Sequence, residues 1–352
     1  MPSFRTGTVV ALLEERPGLQ RMEVDLGAGP ERAYAVVQLT GPVAVGDEVV
    51  VNTTAVELGL GTGGWHVVHW NLARREWREP GPGHIVKLRY TSLQVDAGAA
   101  EELHAGTLAE ADDLEGMPVV VAGLHSHVPC VAAALAAARP GVRIAYVMTD
   151  GAALPLALSD LVAGMRDARL VMATVTAGHA FGGDLEAVNL PSALVVARRV
   201  AGADVTVVAM GPGVVGTATR LGYTALEVGP ALDAVEWLGG RPVAAVRFSL
   251  ADPRSRHAGI SHHTRTALGL ATRARATIGV PRGRWERPFR AELEAAGLAD
   301  RHRLLAVDDP DVPALLADRA LRVTSMGRGP EEDPAFYAVA GAAGTAAATL
   351  LR

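Results

Sequence analysis

From residue 117 to residue 248, apolar runs alternate with alanine-rich stretches of helical length, and this pattern constrains the fold more than any other in the chain. Strands are expected at 118–124, 143–148, 170–175, 205–210, 224–228 and 243–248. Helices are expected near 129–139, 154–167, 184–201, 213–221 and 231–238. Several of these strands, such as 118–124, are continuous apolar runs instead of alternating ones, as fits strands covered on both faces. The reading is an α/β domain, Rossmann-like and doubly wound, with a mostly parallel sheet. Nearly half of the residues, 49%, are hydrophobic, which is material enough for such a core. Residues 262–352 read as helix and loop, broken by prolines at 281–288 and 308–313, and form a helical C-terminal extension.

Residues 5–90 carry a different rhythm. Short runs at 7–13, 19–26, 32–39, 48–53 and 65–70 are bounded by turn signals such as Arg16-Pro17-Gly18 and Gly46-Asp47. Several alternate polar with apolar, as in the segment from Gln20 to Leu26. Close spacing of short strands predicts a small β-barrel or sandwich. The expected domains are therefore 1–94 for the barrel, 95–116 for an acidic linker, and 117–352 for the α/β unit. The linker holds seven acidic residues and no basic one, the mark of a solvated segment.

In an open parallel sheet, ligands bind outside the carboxyl ends of the strands. The expected strands are followed by His125-Ser126-His127, by Thr149-Asp150-Gly151, by Gly178-His179 with Gly182-Gly183-Asp184, by Gly211-Pro212-Gly213 with Gly216, and by Asp252 to His257. The loops entering them are plainer. In an extended chain His125 and His127 face the same way. They could grip a divalent metal together with Asp150, His179 or Asp184, or instead hydrogen-bond backbone at a helix start or contact an anionic substrate. Gly211, Gly213 and Gly216 have the spacing of a phosphate cradle, provided a helix opens behind them. Glycines needed for a tight turn and close packing are the alternative. Asp184 suits a helix N-cap. His179 has no such structural excuse, and His257, His262 and His263 crowd one loop. The candidate catalytic residues are His125, His127, His179, His257 and Lys87. Lys87 is the one lysine among 33 basic residues, which points to a task that arginine cannot perform.

A single cysteine, Cys130, excludes a disulfide scaffold and any multi-cysteine metal centre. A buried structural role is expected for it. A net charge of −5 does not favour nucleic acid as a partner. An arginine stripe over 265–290 leaves one local exception open, a barrel that docks a protein or RNA. The uncharged run 335–351 is alanine- and glycine-rich, and predicts a closely packed helix instead of a membrane span. Its neighbour could lie in this chain or in a second copy, so a homodimer is expected. With no export signal at the N-terminus, the expected location is the cytoplasm.

The runs 53–71, 81–90, 123–130 and 209–219 resemble a family of bacterial conserved proteins, typical of high-GC Gram-positives and classified as a domain of unknown function. The resemblance spans nearly the whole chain. It implies a cytoplasmic bacterial protein and assigns no catalytic residue. The function expected from the residues is action on a small anionic molecule, phosphorylated or nucleotide-like, at the carboxyl edge of the sheet. The glycine-rich loop 59–64 of the barrel would fold over it as a lid, or else serve as a long hairpin connection. Metal-assisted hydrolysis or group transfer is one form of this, and a non-catalytic sensor of the same ligand is the other.

Overall fold

The computed structural model describes residues 2–61 and 63–351. Contacts divide the chain into two compact units, residues 1–97 and 98–352. Thr62, part of the glycine-rich loop, lies outside the described residues.

The first unit is a closed five-stranded barrel. Its strands are β1 (Phe4–Arg16), β2 (Leu19–Asp25), β3 (Pro30–Val36), β4 (Glu48–Asn52) and β5 (His66–Asn71). They close in the order β1-β2-β3-β5-β4, with β3 and β5 parallel. The alternation read from the sequence fills the interior. Met22 and Val24 of β2, and Val49 and Val51 of β4, point inward with Val9, Ala33, Ala35 and Val68. Gly46 turns the chain with φ +93°, a conformation that a side chain resists, and Asp47 Oδ2 accepts from the Ala44 amide. A two-stranded sheet, β6 (Val86–Lys87) with β7 (Val95–Asp96), follows the barrel, and Lys87 is buried in it.

The second unit is built on eight parallel strands: β8 (Pro118–Ala122), β9 (Ile144–Thr149), β10 (Ala173–Ala177), β11 (Leu185–Ala187), β12 (Val205–Met210), β13 (Arg241–Ala245), β16 (Thr277–Pro281) and β17 (Arg303–Val307). Their order is β11-β10-β9-β12-β8-β13-β16-β17. A hairpin of β14 (Phe248–Ser249) and β15 (Gly259–Ile260) leaves the sheet after β13. Each central strand feeds both faces. Val119 and Val121 of β8 enter one core, and Val120 and Ala122 the other. Helices α1 (His127–Ala138) and α2 (Asp160–Asp167) cover one face, on the crossovers that run toward β11. Helices α3 (Leu190–Arg199), α4 (Val228–Trp237) and α5 (Glu286–Ala295) cover the other, on those that run back. Reversed direction with a constant crossover hand puts helices on opposite faces. Then α6 (Val312–Ala317) and α7 (Pro334–Thr349) return to the first face.

Several expectations need correction. No strand forms at 224–228. Thr224–Glu227 is a 3₁₀ turn leading into α4, because the segment is too short and too close to the helix for extension. The region past 262 is not all helical, since β16 and β17 complete the sheet. Asp184 caps no helix. Its carboxylate accepts from the Thr174 amide and hydroxyl, and Asn189 caps α3 instead. The acidic run is docked and not a free linker. Leu114 is fully buried, Glu101 accepts from the Val188 amide and the Ser192 hydroxyl, and Asp113 and Glu115 pair with Arg199 and Arg198. The small residues of α7 are buried within this chain, against α1 and the sheet, so they offer no surface to a second copy.

Candidate functional site

The carboxyl edge of the sheet carries the polar chemistry, as the loop asymmetry predicts, but it gathers elsewhere than at His125. The premise for a metal between His125 and His127 fails locally. His127 is the first residue of α1, so the pair is not on an extended chain. His125 is held by other groups. Its Nε2 meets Ser159 Oγ at 2.6 Å, and its Nδ1 faces Tyr146 Oη and the Met210 carbonyl. Burial lowers its pKa to about 4. These contacts tie His125 to the middle of β9, the end of β12 and the N-cap of α2. Asp150 is exposed and accepts from the His179 backbone amide, in a second small cluster at the end of β9 and β10. Strand β10 lies four places from β13, roughly 19 Å at the usual strand spacing. His179 therefore does not join the histidines that follow β13.

The glycine run is also corrected. Gly211 to Gly216 open no helix, so the context of a dinucleotide fingerprint is missing. The glycines serve a tight turn and close packing. Gly213 has φ +101°, and a side chain at Gly211 would strike the Ala153 carbonyl. A Cβ on Gly216 would stand 2.9 Å from His263 Cε1. The third glycine thus makes room for the histidine cluster.

That cluster occupies the excursion after β13. Arg247 leaves the strand, and Ser261 closes the loop by donating its amide to the Arg247 carbonyl at 3.0 Å. Inside lies Asp252, its side chain fully buried. It accepts from Arg247 Nη2 at 2.7 Å, from Arg254 Nη2 at 2.8 Å and from Arg328 Nη2 at 3.1 Å. The Arg254 guanidinium beside it, together with Arg247, holds its carboxyl well below the ordinary range. Asp333, at the start of α7, accepts from Ser249 Oγ at 2.5 Å and faces Arg328. With the exposed Arg256, four guanidiniums stand against two carboxylates.

His257, His262 and His263 sit on this charged floor. Among the described residues they are the one group of three metal-capable side chains whose ligand atoms all lie within 4.8 Å of one another. Burial, then the nearby cations, pushes His257 down to about 3 and His263 down to about 4, and lowers His262 as well. All three are neutral at pH 7. Tyr223 stacks on His263 with ring centres 4.0 Å apart, and its hydroxyl donates to the His263 carbonyl at 2.8 Å. The helix carrying His262 and His263 runs on into a π-helical turn at Ala267–Ala271, a distortion often found where side chains are re-aimed for function. His127 faces the same place. A cavity of about 20 Å³, room for one water, is lined by His127, Arg247 and His263, and among the described residues neither ring nitrogen of His127 has a partner.

Glu227 lies one loop away, before α4. Burial raises its carboxyl to about 7, and Thr149 Oγ donates to it at 2.5 Å. A raised carboxyl pKa favours the fold while the group is protonated. That contribution is complete below the unfolded value of 4.5 and is lost as pH rises through about 7. Glu227→Gln should therefore gain on the order of 2 kcal/mol over the parent at pH 8, allowing for partial solvent access, and nothing at pH 4. Paired denaturant melts at the two pH values check this, and an equal gain at both would refute the assignment.

Cys130 is fully buried, its thiol pKa raised by burial, and it contacts the Ser126 carbonyl as a structural residue would. The density of histidine and arginine marks 252–263 in the sequence, whereas Tyr223, Arg328 and Asp333 carry no such signal. Nothing in the local pattern around residue 330 marks it as a neighbour of residue 252.

The second unit is thus an eight-stranded parallel α/β domain with a buried arginine–aspartate floor and three neutral histidines at its carboxyl edge, and the first is a small closed barrel. The chain belongs to the family described as protein of unknown function DUF3866, whose model matches residues 32–344. The match runs from the third barrel strand into α7, as the sequence resemblance implies. None of the curated proteins matches the chain. Among the described residues, no helix is long and apolar enough to cross a membrane.

Proposed function

We propose that this protein binds a small anionic molecule, phosphorylated or nucleotide-like, over the loop after β13, and that it does so in the bacterial cytoplasm. The observation that carries the reading is the excess of guanidinium over carboxylate around neutral histidines. Neutral imidazoles add donors and acceptors without offsetting the positive field, and a loop at a sheet's carboxyl edge is where such ligands bind. Arg247 and Arg328 are committed to the floor. Arg256 is exposed, with its Nε 3.4 Å from His257 Nε2, and is free to turn to a ligand. Its loss should weaken pyrophosphate binding about tenfold and leave the unliganded melting temperature within about a degree. Calorimetric titration of pyrophosphate into the parent and Arg256→Gln tests this; equal affinities would sink the reading. A thermal-shift series over nucleotides and sugar phosphates, with product analysis of each ligand that stabilises the chain, separates an enzyme from a sensor. Glu227, poised near neutrality, supports the enzymatic form.

A further inference from the structure

We infer that His257, His262 and His263 form a transition-metal site, with zinc as the class of ion, in the pocket proposed above. Three imidazoles with an open fourth position are a known ligand set for catalytic zinc. The inference rests on the anion reading for its location only. His262 Nε2 and His263 Nε2 are buried and, among the described residues, have no hydrogen-bond partner. A buried ring nitrogen left without a partner is costly, and a metal is one group that removes the cost. His257 presents the third nitrogen. Its Nδ1 lies 2.8 Å from Ser261 Oγ and 3.0 Å from Arg247 Nη1, a group that only donates, and its Nε2 accepts from Arg256 Nε at 3.4 Å; ligation through Nε2 therefore requires Arg247 Nη1 and Arg256 to turn aside while Nδ1–H donates to Ser261. An outer partner of this kind is what fixes a ligating histidine.

Two further features shape the pocket. Gly216 leaves space against the His263 ring, and Tyr223 holds that ring by stacking. The surrounding arginines oppose a bare cation, so the fourth position suits an anion that meets both the metal and Arg256. Metal and anion should then bind cooperatively, each raising the affinity of the other by the same factor.

The test uses the full chain without a histidine tag, stripped by chelator and titrated with Co²⁺ alone. One equivalent should bind and give the visible bands of a four-coordinate ion. His262→Ala and His263→Ala should each weaken binding on the order of a hundredfold, more than the loss of an outer partner alone. His104→Ala, outside the cluster, should leave binding unchanged. His262→Cys guards against a variant that merely misfolds, because a thiolate on the ion adds a charge-transfer band in the near ultraviolet. Substoichiometric binding, a six-coordinate spectrum, or no new band in His262→Cys would overturn the inference. If the stripped chain takes pyrophosphate but no Co²⁺, the metal inference falls and the anion reading stands. If it takes Co²⁺ but no pyrophosphate with or without metal, the anion reading falls instead.

Discussion

Asp252→Ala should cost roughly 3–5 kcal/mol and lower the melting temperature by about 10 °C, the largest effect expected from any polar substitution in this chain. The carboxylate is fully buried and receives three guanidiniums, from Arg247, Arg254 and Arg328. Without it the buried Arg247 keeps its charge and loses its hydrogen-bonded carboxylate, with Asp333 left as a weaker offset. Burial already lowers that arginine's pKa to about 10. Asp252→Asn should fall nearly as far, since it retains the shape and loses the charge. Replacing both partners by apolar residues of similar volume, as in Arg247→Met with Asp252→Leu, should recover part of the loss. The pH dependence has a definite sign. A depressed carboxyl pKa gives stability that is intact above the unfolded value of 3.8 and lost only as pH falls below it. Thermal melts of the single and double variants check this, and an Asp252→Ala melt within about a degree of the parent would remove the ion cluster from the stability argument.

Gly344→Val should cost about 3 kcal/mol or more and leave much of the chain insoluble. Gly344 lies on α7 where a Cβ would run into the Val131 carbonyl of α1. The obstruction is backbone, so no rotamer change relieves it. Gly279 of β16 meets the Ala342 carbonyl of α7 in the same way, so the helix is held closely from two sides. Gly344→Ala is the sharper test, because intrinsic propensity and packing oppose each other. Alanine favours a helix over glycine by about 1 kcal/mol. A net loss of stability in that variant shows that the close approach wins, and a net gain shows that the helices have room to separate.

Much of this fold was legible in the sequence, for identifiable reasons. The strand Val205–Met210 is apolar but for Thr206 and bounded by turn residues, so its limits were evident. Alternation in β2 and β4 announced the barrel. The failures have physical causes too. Residues Thr277–Pro281 and Arg303–Val307 are brief runs among prolines and arginines, and only their place beside β13 makes them strands. The glycine spacing at 211–216 satisfies a nucleotide-binding pattern, yet the chain turns there because Gly213 adopts a positive φ and no helix opens. The candidate site was half legible. Histidine density flagged 257–263, whereas Arg328 and Asp333 reach the loop from some 80 residues away. His125 and His127 attracted attention as a pair and proved to have separate environments. Lys87 is buried in the first unit and the histidine cluster belongs to the second.

The position of α7 sets an order of events during synthesis. The central strand β8 is the first of its sheet to leave the ribosome, and the helix that packs beneath it and against α1 is the last element to follow. Until the segment from Arg328 through α7 has emerged, the part of that face beneath α7 stays uncovered, and Arg328 and Asp333 are absent from the Asp252 floor. The domain therefore matures only after nearly all of it has been translated, and is exposed to aggregation until then. A nascent chain stopped before α7 would hold every histidine of the candidate site and still lack the support that arranges them.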